Sequence, residues 1–192
     1  VVIADEIWSD LILKGSQHIP TQSISPDARN RTIALYAPSK TFNLAGLVGS
    51  YHIIFNKMLR DRVEAKSRKS HYNTMNVLSM HALIGAYEAE GYTWVNELCQ
   101  VLSENVDYAV NHIRDYYRGI EVSKPQGTYM LFLDCEDWCE ENYKSLDELL
   151  KAGWDVGVAW QDGRPFHQKY GIRMNLALPL GRVKEAFERL DE

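Results

Sequence analysis

Two ionisable side chains stand directly after apolar segments, where a buried sheet could hold them in place. Lys40 follows the apolar run at residues 32–36 and lies within the sequence APSKTFNLAG, residues 37–46. An amine at the edge of a sheet is partly desolvated, which lowers its pKa from an ordinary value of roughly 10.4. An amine with a lowered pKa can form a Schiff base with a carbonyl group. Lys40 is therefore a candidate nucleophile, with a solvated surface lysine as the alternative.

Asp5 is the second candidate, because it follows the apolar run at residues 1–4. An aspartate in that place is more often a turn or helix cap. Paired with a Schiff-base lysine, however, it fits the requirements of pyridoxal 5′-phosphate (PLP). This cofactor needs a lysine for its aldehyde and a carboxylate that keeps its pyridine nitrogen protonated. Asp5 and Lys40 together therefore suggest a PLP site, in which the protonated ring accepts electrons from the substrate Cα.

The elements that must position these residues are three short apolar runs, at residues 1–4, 32–36 and 51–55. Their composition predicts strands, the first of them buried on both faces of a parallel sheet. A polar loop follows each run, as expected for part of an open α/β sheet whose ligand binds at the carboxyl ends of the strands. The predicted fold class is α/β, with a mostly parallel sheet in the larger domain.

The second half of the chain predicts a long helix and then a small α+β domain. Apolar residues recur at three- to five-residue steps over residues 93–117, which indicates a helix that ends near Gly119. The elements predicted beyond it are strands at 128–133 and 172–177, a capping box at Ser145 and Glu148, and a last helix from Pro179. The predicted domains are residues 1–92, a connecting helix at 93–118, and residues 119–192.

The composition is that of an ordinary globular chain, and it narrows the classes of function. The 192 residues carry a net charge of −5, with no basic stripe that could neutralise a nucleic-acid backbone. No apolar run is long enough to span a membrane, and no targeting peptide is visible. The three cysteines and six histidines show no spacing typical of a metal site. We therefore expect a cytoplasmic protein with free thiols and without a metal, nucleic-acid or membrane partner.

Three separated motifs resemble the fold-type I PLP-dependent enzymes. They are residues 5–10 (DEIWSD), 39–46 (SKTFNLAG) and 172–177 (IRMNLA). The chain is most similar to the cystathionine β-lyase branch, the MalY/PatB-type C–S lyases, of the class I/II aminotransferase family. The likeness covers essentially all 192 residues and corresponds to the carboxyl-terminal half of such an enzyme. The chain also begins inside an apolar run, so we expect it to be a piece of a longer polypeptide and to be inactive alone.

The resemblance implies roles for five residues. Lys40 would form the Schiff base with PLP, Asp5 would pair with the pyridine nitrogen, and Trp8 would stand beside the 3′ oxygen of the cofactor. Ser39 is implied as a ligand of the cofactor phosphate, with an ordinary loop hydroxyl as the alternative. Arg173 would bind the substrate α-carboxylate, since a planar guanidinium matches a carboxylate bidentately. Without the other motifs, Arg173 reads as a surface residue at a strand edge.

Two departures from the aminotransferase pattern favour the lyase branch. Trp8 stands where many aminotransferases carry a tyrosine, and its indole can only donate a hydrogen bond. Val48 stands where many of them carry a phosphate-binding arginine. The resemblance therefore implies a homodimeric PLP-dependent β-lyase that releases pyruvate, ammonia and a thiol from cystathionine or a related sulfur amino acid. The alternatives are a class I/II aminotransferase and, more distantly, an aminotransferase-like ligand-sensing domain of a regulator.

Overall fold

The computed structural model describes residues 1–70 and 74–192, and its elements are those of an α/β protein. By their internal contacts these residues form two compact units. The first unit contains Val1–Ile12 and Ser16–Glu97, and the second contains Leu13–Gly15 and Leu98–Glu192.

A three-stranded sheet forms the centre of the first unit. Its strands are β1 (Val2–Asp5), β2 (Thr32–Tyr36) and β3 (Tyr51–Ile53), in that order across the sheet. β1 and β2 run parallel, in a register that pairs Asp5 with Leu35, whereas β3 is antiparallel to β2. The segment between β2 and β3 contains only two short helical turns and no crossover helix, which a parallel return would need. One strand pair of the two in the described part of this sheet is therefore parallel.

β1 is more exposed than its apolar composition predicts. Ile3 is 69% exposed and Val2 39%, although the sequence predicts a strand buried on both faces. The reason is its position, because β1 pairs with β2 alone and forms one edge of the sheet within the described part of the chain. The central strand β2 is buried instead, with Thr32 and Ala34 fully enclosed. The prediction of a doubly buried strand is wrong for β1.

Within the described residues, the first unit contains four complete helices, two of them between its strands and two after β3. They are α1 (Pro26–Arg31), α2 (Pro38–Thr41), α3 (Lys57–Ser70) and α4 (Val77–Ala86), with 3-10 turns at Thr21–Ser23 and Ala45–Leu47. α1 begins after Ser25, whose hydroxyl accepts a hydrogen bond from the amide of Ala28 at 3.0 Å. The Asn76 side chain caps α4 in the same way. These side chains pair amide groups that the start of a helix leaves without partners.

A 28-residue helix, α5 (Ala89–Tyr116), passes from the first unit into the second. It begins four residues before the predicted start at residue 93. The apolar pattern does not reveal this first turn, because Ala89 and Glu90 are exposed and add nothing to the apolar stripe. The division between the two units falls inside this helix, between Glu97 and Leu98. Its buried apolar residues in the second unit are Leu102, Val106, Ala109, Val110 and Ile113.

The second unit is built on a four-stranded antiparallel sheet. Its strands are β4 (Glu121–Val122), β5 (Met130–Asp134), β6 (Gln161–Asp162) and β7 (Gly171–Asn175), in the order β4-β5-β7-β6. Its remaining helices are α6 (Glu136–Glu141), α7 (Leu146–Asp155) and α8 (Leu180–Leu190), with a 3-10 turn at Arg164–Phe166. β5 begins two residues later than predicted. Thr128 has a φ of 68°, in the left-handed region, and therefore cannot continue the strand.

Local signals in the sequence define the last two helices. Ser145 and Glu148 form the predicted capping box at the start of α7, and the carboxylate of Glu148 accepts the Ser145 amide at 2.9 Å. α8 begins after Pro179 and buries Val183 and Phe187, as the apolar pattern predicts.

Residues Leu13–Gly15 leave the first unit and join the second. The amide of Leu13 donates to the carbonyl oxygen of Gln126 at 3.0 Å, and the amide of Lys14 donates to the hydroxyl of Ser103 at 3.0 Å. The side chain of Leu13 is buried. The chain thus contributes a short amino-terminal segment to a unit that otherwise starts in the middle of α5.

Within residues 1–70 and 74–192, no helix is both long and apolar enough to cross a lipid bilayer. In the same residues, no group of three His, Cys, Asp or Glu side chains is arranged to hold a metal ion. Cys99, Cys135 and Cys139 form no disulfide with one another in the described part of the chain.

We predict that Ser145→Ala lowers the free energy of unfolding by about 1 kcal/mol, within the usual range for the loss of a capping side chain. The Ser145 hydroxyl accepts the Glu148 amide at 3.3 Å, and alanine leaves that amide without its partner. Urea unfolding followed by circular dichroism measures the change. Ser123→Ala is the control, because Ser123 is exposed and caps no helix. Equal stability of Ser145→Ala and the control would contradict the prediction.

Candidate active site

Lys40 lies in a single helical turn that directly follows the central strand of the first unit. β2 ends at Tyr36, and α2 begins at Pro38, whose fixed φ suits the first position of a helix. The turn ends before Asn43, which has a φ of 54° in the left-handed region and stops the helix. Lys40 is half-buried as a result. Its amine therefore stays near the carboxyl end of β2.

The indole of Trp8 faces the amine of Lys40. The Lys40 Nζ lies 5.7 Å from the centroid of the Trp8 ring, within the range of a cation–π contact. Trp8 belongs to the turn at residues 7–10 that follows β1. The connections after the two parallel strands therefore meet, which brings together two of the residues that the sequence singles out.

Asp5 is the last residue of β1 and pairs in register with Leu35 of β2. Its Oδ1 accepts a hydrogen bond from the amide of Ile7 at 3.2 Å, so the turn-capping alternative describes one of its two oxygens. The side chain is exposed, and Oδ2 makes no hydrogen bond to any described residue. Asp5 and Lys40 follow the carboxyl ends of neighbouring parallel strands, where α/β sheets bind their ligands. The carboxylate thus keeps one oxygen available to a ligand.

Glu6 is a buried carboxylate beside Asp5, and it is only 6% exposed. It accepts hydrogen bonds from the ring of His18 at 2.7 Å, the amide of Thr21 at 2.8 Å and the hydroxyl of Tyr36 at 3.4 Å. Burial alone would raise the pKa of Glu6, but the hydrogen bonds from His18 and Thr21 outweigh it and hold the pKa below the usual 4.5. The ionised carboxylate therefore ties the end of β1 to β2 and to the segment before α1.

Tyr36 completes this network from the side of β2. Burial raises the pKa of Tyr36 to about 12, and the negative charges of Glu6 and Asp10 add to the increase. The phenol is therefore neutral at physiological pH and donates its proton to Glu6. Its ring stacks on Tyr51 of β3, with centroids 5.5 Å apart. The network thus extends across all three strands of the sheet.

The remaining predicted residues lie apart from this network. Ser39 is half-buried next to Lys40, and its hydroxyl makes no hydrogen bond within the described ranges. Arg173 belongs to the second unit, on β7, where its guanidinium carbon lies 4.8 Å from the ring centroid of Phe166. No carboxylate among residues 1–70 and 74–192 forms an ion pair with Arg173. Its guanidinium is therefore available to an acidic ligand.

Two further residues of this region carry no role in the sequence prediction, although both lie in its first motif. Glu6 and Asp10 flank Trp8, and Asp10 accepts a hydrogen bond from Thr41 at 3.0 Å. A carboxylate placed directly after an apolar strand is a signal that applies to Glu6 as well as to Asp5. The alternation of a strand sends neighbouring side chains to opposite faces, so the two carboxylates meet different surroundings.

Solved structures with the same fold define the class of protein. A PLP-bound protein of Clostridium difficile 630, described as an aminotransferase, superimposes with a TM-score of 0.88 at 32% identity, over 98% of this chain and 48% of its own. The PLP-bound C–S lyase of Staphylococcus hominis gives a TM-score of 0.84 at 27% identity, over 98% of this chain and 47% of its own. The predicted likeness to PLP-dependent fold-type I enzymes is thereby confirmed.

Curated proteins with similar sequences include a cystathionine β-lyase and an aminotransferase. Cystathionine β-lyase PatB of Bacillus subtilis (strain 168) is 29% identical over 98% of this chain and 48% of its own length. Protein MalY of Escherichia coli (strain K12) is 29% identical over 96% of this chain and 46% of its own length. An aspartate aminotransferase of Bacillus sp. (strain YM-2) is 26% identical over 100% of this chain and 48% of its own length. The chain spans about half the length of these relatives, and no family model matches it.

The side chains of the first unit suit PLP. An amine, a carboxylate with one open oxygen, an indole and a hydroxyl stand at the carboxyl ends of β1 and β2. PLP presents an aldehyde, a ring nitrogen that is protonated in this class of site, and a phosphate. Each of these groups has a complementary partner in this set, so the residues present fit the cofactor.

We predict that Glu6→Gln lowers the free energy of unfolding by about 2 kcal/mol at pH 7, the usual scale for hydrogen bonds to a charged group. Glutamine keeps the size but loses the charge that three donors share. The pKa of Glu6 is lowered in the folded state, so its contribution is present above pH 4.5 and is lost as the pH falls through the folded pKa. Urea unfolding at pH 7 and at lower pH measures both effects.

The control for this variant is Glu97→Gln, which changes an exposed glutamate of the same unit. We expect it to leave the stability within about 0.5 kcal/mol of the unmodified protein. A difference between Glu6→Gln and the unmodified protein that keeps its full size at pH 3 would show that the charge of Glu6 is not what stabilises the fold.

Proposed function

We propose that the complete protein is a PLP-dependent β-lyase that cleaves the carbon–sulfur bond of cystathionine or a related sulfur amino acid. The observation that carries this proposal is the meeting of Lys40 and Trp8 at the carboxyl end of a parallel strand pair, with Asp5 on the neighbouring strand. The cystathionine β-lyases and C–S lyase among the relatives support the same class of reaction.

Three residues of the first unit would hold the cofactor. Lys40, whose amine lies 5.7 Å from the ring centroid of Trp8, would bind its aldehyde covalently. The open Oδ2 of Asp5 would accept a hydrogen bond from the ring nitrogen and keep that nitrogen protonated. Ser39 would donate its hydroxyl to the phosphate.

PLP, when bound, supplies an electron sink for the bond that breaks at the substrate Cα. The freed amine of Lys40 would take the proton from Cα, as a general base. Arg173 would bind the substrate α-carboxylate through two parallel hydrogen bonds, because no described carboxylate competes for its guanidinium. Loss of a thiolate from Cβ would break the carbon–sulfur bond, and hydrolysis of the remaining fragment would give pyruvate and ammonia.

An aminotransferase is the second candidate, because an aspartate aminotransferase is also among the relatives. Lys40, Asp5 and Arg173 would serve both reactions up to loss of the Cα proton. Trp8 favours the lyase, because an indole offers one N–H donor beside the cofactor and no acceptor. An amino acid is the substrate in either case. The predictions of a homodimer and of a cytoplasmic location rest on the resemblance and the composition.

We predict that the full-length protein, supplied with PLP, releases pyruvate and a free thiol from cystathionine in the absence of any keto acid. A lactate dehydrogenase coupled assay follows pyruvate, and a thiol reagent follows the second product. A parallel reaction with 2-oxoglutarate measures glutamate, the product of amino-group transfer. Glutamate formation that is faster than pyruvate release would overturn the lyase proposal in favour of the aminotransferase.

We predict that borohydride reduction of the full-length protein fixes PLP to the peptide that contains Lys40. Lys40→Arg keeps the positive charge but removes the nucleophile and the base, so it should carry no label and lose at least about 100-fold in activity. Peptide mapping by mass spectrometry locates the label. Lys66→Arg is the matched control, since Lys66 is an exposed lysine of α3 in the same unit. Label on a lysine other than Lys40 would contradict the assignment.

A further inference from the structure

One hydrogen bond joins the turn after β1 directly to the helical turn that carries Lys40. The hydroxyl of Thr41 donates to Oδ2 of Asp10 at 3.0 Å. Thr41 is fully buried, and Asp10 is half-buried. A hydrogen bond to a carboxylate in such surroundings is stronger than one between neutral groups. The bond therefore acts next to Lys40 in the chain and two residues after Trp8.

The helical turn α2 is short and is stabilised only weakly by its own hydrogen bonds. It is four residues long, it lacks a capping side chain, and a single turn is not stable by itself. Two backbone hydrogen bonds close it, from Phe42 to Pro38 and from Leu44 to Ser39. Both of these bonds lie within the segment and do not attach it to the rest of the unit. The position of α2 therefore depends on contacts such as the one from Thr41 to Asp10.

A second contact anchors the segment on its other side. The ring of Phe42 packs edge-on against Tyr87, with centroids 5.1 Å apart, and stacks with Trp94 at 6.2 Å. The hydrogen bond of Thr41 is directional and acts on the residue that directly follows Lys40.

We propose that Thr41 and Asp10 are positioning residues, which hold the amine of Lys40 against Trp8 so that it can bind and act on the cofactor. This proposal rests on the proposed function for its chemical consequence. The orientation of the Lys40 amine does not depend on the proposed function, because it follows from the hydrogen bond between Thr41 and Asp10. It can be measured without PLP.

The unit offers a matched control for the loss of a buried threonine hydroxyl. Thr32 is also fully buried, and its Oγ1 has no hydrogen-bond partner among the described residues. Thr41→Val and Thr32→Val therefore make the same chemical change at two buried sites, but only the first removes a hydrogen bond. Thr41→Ser keeps the hydroxyl and loses one methyl group, which makes it the conservative variant that should rescue the function.

The first experiment measures the reactivity of Lys40 in the full-length protein without added cofactor. Competitive acetylation at limiting reagent, read by mass spectrometry, compares Lys40 with the exposed Lys66. We expect Thr41→Val to raise the acetylation of Lys40 relative to Lys66 about threefold or more, because the amine leaves the half-buried place beside Trp8. Thr41→Ser and Thr32→Val should match the unmodified protein, and circular dichroism checks that all variants are folded.

The second experiment measures PLP binding by the absorbance of the lysine-bound cofactor. We expect Thr41→Val to weaken binding about tenfold, which corresponds to about 1.4 kcal/mol, and to shift the pH dependence of the absorbance band. Thr41→Ser should stay within about twofold of the unmodified protein. Asp10→Asn keeps an acceptor oxygen but loses the charge, so it should fall between the two.

Unchanged acetylation of Lys40 in Thr41→Val would overturn the proposal, whatever the protein does with PLP. Equal defects in Thr41→Val, Thr41→Ser and Thr32→Val would also overturn it, because packing rather than the hydrogen bond would then be responsible. A protein that binds no PLP, but whose Lys40 becomes more reactive in Thr41→Val alone, would refute the proposed function and leave the positioning role supported.

Discussion

Parallel pairing of β1 with β2, in a register that sets Asp5 beside Leu35, brings two polar connections to one end of the sheet. Asp5 ends the first strand, and Lys40 follows the second by a single helical turn. The alternation of side chains along a strand makes this register strict, since a slip of one residue would turn every side chain to the opposite face. Such a slip would exchange the surroundings of Asp5 and Glu6 and would dismantle the network around Glu6.

The neighbouring carboxylates of Asp5 and Glu6 have different roles in the structure. Glu6 is buried and accepts hydrogen bonds from His18, Thr21 and Tyr36, so its carboxylate holds the fold together. Asp5 is exposed, and only one of its carboxylate oxygens accepts a hydrogen bond, from the amide of Ile7. Because Glu6 is buried, it is also less accessible to a ligand than Asp5. Stability and ligand binding are thus divided between adjacent residues.

Features with a local cause were predictable from the sequence. β2 has the predicted bounds, and the capping box of Ser145 and Glu148 forms as expected, because each depends on residues close together in the chain. The exposure of β1 and the antiparallel direction of β3 were not predictable in this way, because they depend on which strands become neighbours. In the candidate site, residue types indicated Lys40 and Asp5. The link from Thr41 to Asp10 spans 31 residues, and no periodicity carries such information.

The segment Leu13–Gly15 has a consequence for the order of folding. Lys14 meets its partner Ser103 across 89 residues of chain. Closing so long a loop lowers the conformational entropy of the chain before the contact can stabilise it. Contacts between residues far apart in the sequence therefore slow folding. The first motif, at residues 5–10, stands only a few residues before this segment. A nascent chain emerging from the ribosome can therefore make the pairing of β1 with β2 early, but it cannot fasten Leu13–Gly15 until α5 has been synthesised.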